Sequence, residues 1–320
     1  GKHGERDRKP SKRTYTGIRR KRMRIIYILL AGICLCLSTV FVFSGFSIRS
    51  DISDAQENLE KQRQIEQQAQ EKIDGLTETY NGKQSQIESL KTQLYYRTEP
   101  VAFLTFNSVP SSNTSAILDI LKENNISATF YITGSRIATE EDRAVVKRIV
   151  DEGHAIGIRA YGSDNMSEIY SSAEKYMEDV EKCAAMIKEI TGTETKLVRM
   201  PGGTVQAKQY CDQYGQGVDT LKEIMKSLSD AGYSVTDWYT DAEDYDSSKS
   251  AEGLLEIVKT AASGRKNGTG YKSFILLMYN EDISVELLPN VIKALKDIGY
   301  NTFEKIVPNG YAFIRYPVDY

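Results

Sequence analysis

VAFLTFNSVP, residues 101–110, is the stretch whose reading decides the fold. Its first five residues, Val101 to Thr105, are apolar or β-branched, which suits a buried strand. Asn107, Ser108 and Pro110 then supply turn chemistry. Ser111, Ser112, Asn113 and Thr114 offer N-caps for a helix over about 116–124. A strand that runs into a polar loop and then a helix is the usual place for a site in an α/β protein. Asn107 and Ser108 are therefore the first candidates.

Outward from there, strand and helix patterns alternate to the C-terminus. Strands are expected at 101–106, 128–133, 154–158, 196–199, 234–238, 274–278 and 301–303. Helices are expected at 140–152, 172–191, 219–231, 252–262 and 285–298. Repeated βα units imply a mostly parallel sheet, open or closed into a barrel. Gly153, Gly192, Gly232 and Gly299 stand at or just past helix ends, where C-cap glycine belongs. The site should lie at the C-terminal ends of the strands, in the loops 107–110, 159–164, 200–204, 239–246 and 279–282.

The N-terminal third is different. Residues 1–24 hold eleven Lys/Arg against two acids, a net +9, which leaves −12 on residues 25–320 given the total of −3. So acidic a main domain argues against nucleic acid as partner. Residues 25–48 contain no charge, and at ~1.5 Å per residue they span the ~30 Å hydrocarbon core. The basic flank places the N-terminus in the cytoplasm and the rest outside. The run exceeds an ordinary signal-peptide core, and an uncleaved single-pass anchor in the cell membrane is preferred. From 51 to 97 a heptad seam runs through Ile52, Ala55, Leu59, Ala69, Ile73, Leu76, Tyr80, Ile87, Leu90 and Leu94. A coiled-coil stalk that makes a homo-oligomer is expected, with a single solvated helix or a helical hairpin as the alternative. The expected organisation is a basic tail (1–24), an anchor (25–48), a stalk (51–97) and a globular domain (98–320). Four cysteines make no disulfide scaffold; Cys183 and Cys211 fit no spacing motif.

The five loops, in order, resemble the motifs of the polysaccharide deacetylases, carbohydrate esterase family 4. Thr105-Phe106-Asn107-Ser108-Val109-Pro110 stands where that family has T-F-D-D-G-P, followed by the family-like LDILKENNISATFYITG of 118–134. Arg159-Ala160-Tyr161-Gly162-Ser163 stands for the family's H-[ST]-x-x-x-H. Arg199-Met200-Pro201-Gly202-Gly203 matches R-x-P-x-G. Asp241-Ala242-Glu243-Asp244-Tyr245, after Trp238, stands for the acidic fourth motif, and Leu277-Met278-Tyr279 for L-x-H. The resemblance implies a distorted (β/α) barrel and removal of acetyl groups from N-acetylated glycans. It also implies that the base position is Asn107, the metal-ligand positions are Ser108, Arg159 and Ser163, and the acid position is Tyr279. All five have changed type, whereas Arg199, Pro201, Gly203, Asp241 and Asp244 are retained.

Elementary chemistry agrees. A catalytic zinc wants about three ligands from His, Asp, Glu or Cys. After residue 48 the chain has one histidine, His154. A guanidinium at Arg159 repels a cation. Without metal, bound water returns from a pKa of ~7 towards ~15.7, and losing the base removes another ~10²–10⁴-fold. Zinc or another divalent metal, usual in the family, is thus expected to be absent, and no catalytic residue is assigned.

The binding cleft is expected from Asn107, Ser108, Arg159, Ser163, Arg199, Gly202, Trp238, Asp241, Asp244, Tyr245 and Tyr279, whose polar and aromatic groups suit sugar rings. Arg199 is expected to pair with Asp241, Arg159 to join Asp241 or Asp244, and His154 to be a structural donor. The function expected is that of a pseudoenzyme: an extracytoplasmic deacetylase-like protein that binds or acts on cell-surface glycan, such as peptidoglycan, or binds a partner protein. The alternatives are a hydrolase using carboxylates among Glu243, Asp244, Asp246 and Glu281, and a structural subunit assembled through the stalk.

Overall fold

The stretch 101–110 is a strand for longer than expected: β1 spans Val101–Val109, through Asn107 and Ser108. It is an interior strand of the sheet in a computed structural model that describes residues 12–162 and 165–320. Around it, in chain order, come α2 (Thr114–Glu123), β2 (Thr129–Thr133), α3 (Glu140–Asp151), β3 (Ala155–Ala160), α4 (Met166–Ile169), α5 (Ala173–Thr191), β4 (Leu197–Val198), α6 (Gly203–Tyr214) and α7 (Val218–Asp230). Then follow β5 (Ser234–Val235), β6 (Thr240–Asp241), α8 (Ala251–Asn267), β7 (Phe274–Met278), α9 (Asp282–Ile298) and β8 (Thr302–Phe303).

The sheet runs β5-β4-β3-β2-β1-β7-β6, with β8 beside the start of β1. Every pairing is parallel. Parallel strands need both faces covered, and their apolar runs supply this. Leu104, Phe106, Phe130, Ile132, Ile158, Leu276 and Met278 face the helices, each contributing about 1.5–3 kcal/mol by burial. Val101, Phe103, Tyr131, Leu197, Ile275 and Leu277 face the opposite way and fill the lumen of the curled sheet. This is the distorted (β/α) barrel expected. Local signals set the helices: in α3 the Thr139 hydroxyl accepts from Asp142 N–H while Asp142 accepts from Thr139 N–H, a reciprocal cap. Gly192, at φ +71°, ends α5 in the left-handed region.

Between the β5 and β6 edges the sheet is open. The C-terminal segment lies against this side: Asn309 N–H donates to Ser234 Oγ, and Asp237 N–H donates to Phe313 O. The Asp237 carboxylate accepts from Arg315 N–H and from Thr204 N–H and Oγ–H. Ile306 and Tyr311 fill the lumen floor with Tyr96, whose ring packs on Tyr311 at 5.0 Å and Phe103 at 5.4 Å.

Tyr96 belongs to the last turns of α1 (Lys12–Thr98). The chain divides into two units between Lys83 and Gln84, so the end of this helix is part of the globular unit. In the first unit the apolar residues of 25–48 are exposed, and among the described residues one helix is long and apolar enough to cross a membrane. Its Ser38, Thr39 and Ser44 hydroxyls donate to carbonyls three residues earlier. Cys183 and Cys211 are separate buried thiols.

Candidate functional site

The C-terminal ends of β1, β3, β4, β6 and β7 bring Asn107, Arg159, Arg199, Asp241 and Tyr279 to one rim of the barrel. Arg199 is its anchor. It is fully buried, and its Nε donates to Thr236 O at 3.0 Å and Nη2 to Asp237 O at 3.2 Å. Nη1 donates to Thr105 Oγ1 at 2.7 Å and Asn107 Oδ1 at 3.2 Å. The guanidinium lies 4.1 Å over the Tyr131 ring and 5.6 Å from that of Trp238. Burial lowers its pKa. Among the described residues no carboxylate lies within 4.0 Å of it, so the expected Arg199–Asp241 ion pair is replaced by carbonyls, a hydroxyl and an amide.

Asn107 is 1% exposed. A guanidinium only donates, so the Asn107 amide must turn its oxygen to Arg199, which leaves its NH2 on the other side as a donor. The Asn107 carbonyl accepts from Asn280 Nδ2 at 2.6 Å, and Asn280 is itself held by Thr114 Oγ1. Next to it, Ser108 takes φ +60° where the β1–β2 register shifts. That conformation costs about 1–3 kcal/mol for a residue with a side chain.

Arg159 makes none of its expected contacts with Asp241 or Asp244. Its Nε is buried without a hydrogen-bond partner, and no ion pair forms at it among the described residues. Its charge acts instead on the phenols of Tyr279, Tyr170 and Tyr176. Burial and the Asp241 charge push Tyr279 up to about 12, against the pull of Arg159. Asp241 is half-buried, accepts from Glu243 N–H at 2.8 Å, and is raised to about 6, first by burial and then by Asp244 and Glu243. Asp244 is buried and receives Tyr279 N–H on both oxygens and Ser284 Oγ on one. It holds the β7 loop in place. Ser163 lies outside the described residues.

Trp238, expected to offer a sugar platform, is 6% exposed in the lumen. Tyr245 is exposed and packs edge-on against Tyr279 at 5.1 Å. Gly202 caps α6 at φ +72°, where a Cβ would strike Gln206 at 2.5 Å. His154 accepts rather than donates: its Nδ1 receives Ala128 N–H at 3.0 Å. The carboxylates of the alternative hydrolase are engaged as well, Glu243 and Asp246 by Lys249. A cleft of about 530 Å³ beside the rim is lined by Ser111, Asn113, Arg136, Tyr245, Asn280 and Glu281, among others. Asn113 was expected only as a helix cap, and Asn280 lay in the expected loop 279–282 without being singled out.

The donor set at the former ligand positions, a serine hydroxyl and a guanidinium, does not fit a divalent cation. Among the described residues no group of three His, Cys, Asp or Glu could hold one. The polysaccharide deacetylase family model matches residues 95–221. The chain belongs to the polysaccharide deacetylase family. A peptidoglycan-N-acetylglucosamine deacetylase of Bacillus cereus is 28% identical over 200 residues, 62% of this chain and 67% of that protein. The chain spans about two thirds of the length of the curated relatives it matches. The catalytic domain of a peptidoglycan N-acetylglucosamine deacetylase from Eubacterium rectale superposes with a TM-score of 0.58, at 21% identity, over 69% of this chain and 94% of that one. A CE4 family pseudoenzyme from Bacillus anthracis does so at 0.51, with 25% identity, over 66% and 65%.

Proposed function

We propose that this protein is a membrane-anchored deacetylase-like protein without deacetylase activity, whose rim binds a cell-surface glycan such as peptidoglycan. One observation carries the reading: Arg159, which forms no ion pair among the described residues, stands at a position the family resemblance gives to a metal ligand, while Asn107 neutralises the base position. Arg199 supports it, because its hydrogen bonds hold the rim in order although no carboxylate among the described residues pairs with it. The similarity to a CE4 family pseudoenzyme is consistent with it. The apolar segment 25–48 supports an anchor with a cytoplasmic N-terminus. The exposed seam of Leu59, Ile73, Leu76, Ile87 and Leu90 supports a second copy as partner along the stalk.

The test is zinc content and acetate release from N-acetylated chitooligosaccharide and peptidoglycan. It compares the native chain with one carrying Asn107→Asp, Ser108→Asp, Arg159→His, Ser163→His and Tyr279→His. The native chain is expected to hold no stoichiometric zinc and release no acetate, and the fivefold variant to gain both. Zinc and turnover in the native chain would overturn the proposal.

A further inference from the structure

The rim and lumen hold hydrogen-bond donors for which the described residues supply no acceptor. Strand alternation puts Arg159 on the face of Ala155 and Gly157; a Cβ on Gly157 would touch Tyr131 and Leu197 of the lumen. The Arg159 Nε is buried and unpartnered, and so are the Tyr131 hydroxyl, Thr133 Oγ1 and Trp238 Nε1 on the same side of the sheet. Tyr131 and Thr133 are wholly buried and Trp238 is 94% buried, being 6% exposed. The Asn107 NH2 adds a further donor, since its oxygen is committed to Arg199. Buried donors without partners are rare in folded proteins and call for a ligand or water. On the acceptor side, Asp244 is filled by Tyr279 and Ser284, and Asp241 is turned to Glu243 N–H.

A guanidinium that forms no ion pair among the described residues and keeps an unpartnered Nε complements an anion, and planar carboxylate is the group a guanidinium fork matches best. We propose that the rim selects a sugar bearing a carboxylate, received by Arg159. This rests on the glycan-binding reading above and specifies its ligand. A metal ion in the related enzymes and a guanidinium here would then serve opposite ends: the first activates water, the second fixes an acid group.

Trp238 is the chain's single tryptophan and sits in the lumen beside Arg199, so its fluorescence reports from the site. The full chain in detergent is titrated with N-acetylglucosaminyl-N-acetylmuramic acid, with the methyl ester of that disaccharide's lactyl carboxylate, and with di-N-acetylchitobiose. The free acid is expected to saturate the signal at about tenfold lower concentration or less than either neutral sugar, as one charge-assisted contact allows. Arg159→Ala should erase that preference while keeping weak binding of all three. Arg159→Gln, which keeps the stem and a neutral donor, should do the same. Both variants are expected to fold, because Arg159 makes no hydrogen bond among the described residues; melting curves check this. Equal binding of the three sugars, or a preference that survives both variants, overturns the inference and leaves glycan binding intact. No response to any sugar, by fluorescence or calorimetry, overturns both.

Discussion

Replacing Asn107 with aspartate should make the protein more stable, an uncommon result for a buried charge. The guanidinium of Arg199 is already fully buried, and its Nη1 lies 3.2 Å from Asn107 Oδ1. Asparagine and aspartate have nearly the same shape, so Asn107→Asp puts a carboxylate oxygen at that distance without repacking. Coulomb attraction there is about 5 kcal/mol at an effective dielectric of ~20. Desolvating the new carboxylate costs several kcal/mol, but the cation's own desolvation is already borne by the fold. A net gain of about 1–2 kcal/mol remains, or roughly 2–8 °C in melting temperature for a domain of this size. The new carboxyl has a folded pKa below its unfolded value, so the gain is present above pH ~4 and fades as pH falls through the folded pKa. Asn107→Ala, which strands a guanidinium donor, should cost about 1–3 kcal/mol. Differential scanning fluorimetry at pH 7.5 measures both. A melting temperature for Asn107→Asp at or below that of the native chain would refute the account of Arg199 as a cation lacking its partner.

His154 is 6% exposed and burial lowers its pKa from 6.5 to about 4. The unfolded chain therefore takes up the proton first, and stability falls as pH drops below 6.5, by about 2 kcal/mol at pH 5. In urea melts at pH 7.5 and 5, His154→Gln should lose that slope, and the difference from native cancels Asp241, which titrates the opposite way; equal slopes would contradict this. Tyr96→Ala should cost about 3–5 kcal/mol, as for a buried aromatic. Tyr96→Phe, losing only the bond from its hydroxyl to Glu304, should cost about 1. Equal losses in the two variants would show that the ring does not anchor the helix end.

The fold was legible where burial is two-sided. Phe274–Met278, an unbroken apolar run, has its expected bounds, and the strands at 129–133 and 155–160 fall within a residue or two. Two kinds of element were not legible. Strand β6 is Thr240–Asp241, two polar residues held by β7 alone. Helix α6 buries only Gly203, Thr204, Ala207 and Cys211, small residues that leave no apolar stripe to read. The rim positions could be read from motif order, because strand ends converge in any such sheet. Their partners could not. Arg199 finds Asn107 rather than Asp241 because side-chain reach is decided by neighbouring strands, and β4 and β1 project their ends towards the same point across the lumen.

The junction at Tyr96 also has a mechanical meaning. Residues 96 and 97 offer their carbonyls to Ser273 and Lys272, and four residues later the chain enters β1, which has hydrogen-bonded neighbours on both flanks. Traction on the preceding helix would therefore reach an interior strand and be resisted by rows of bonds on both its flanks, whereas a load on either border strand would meet one row alone.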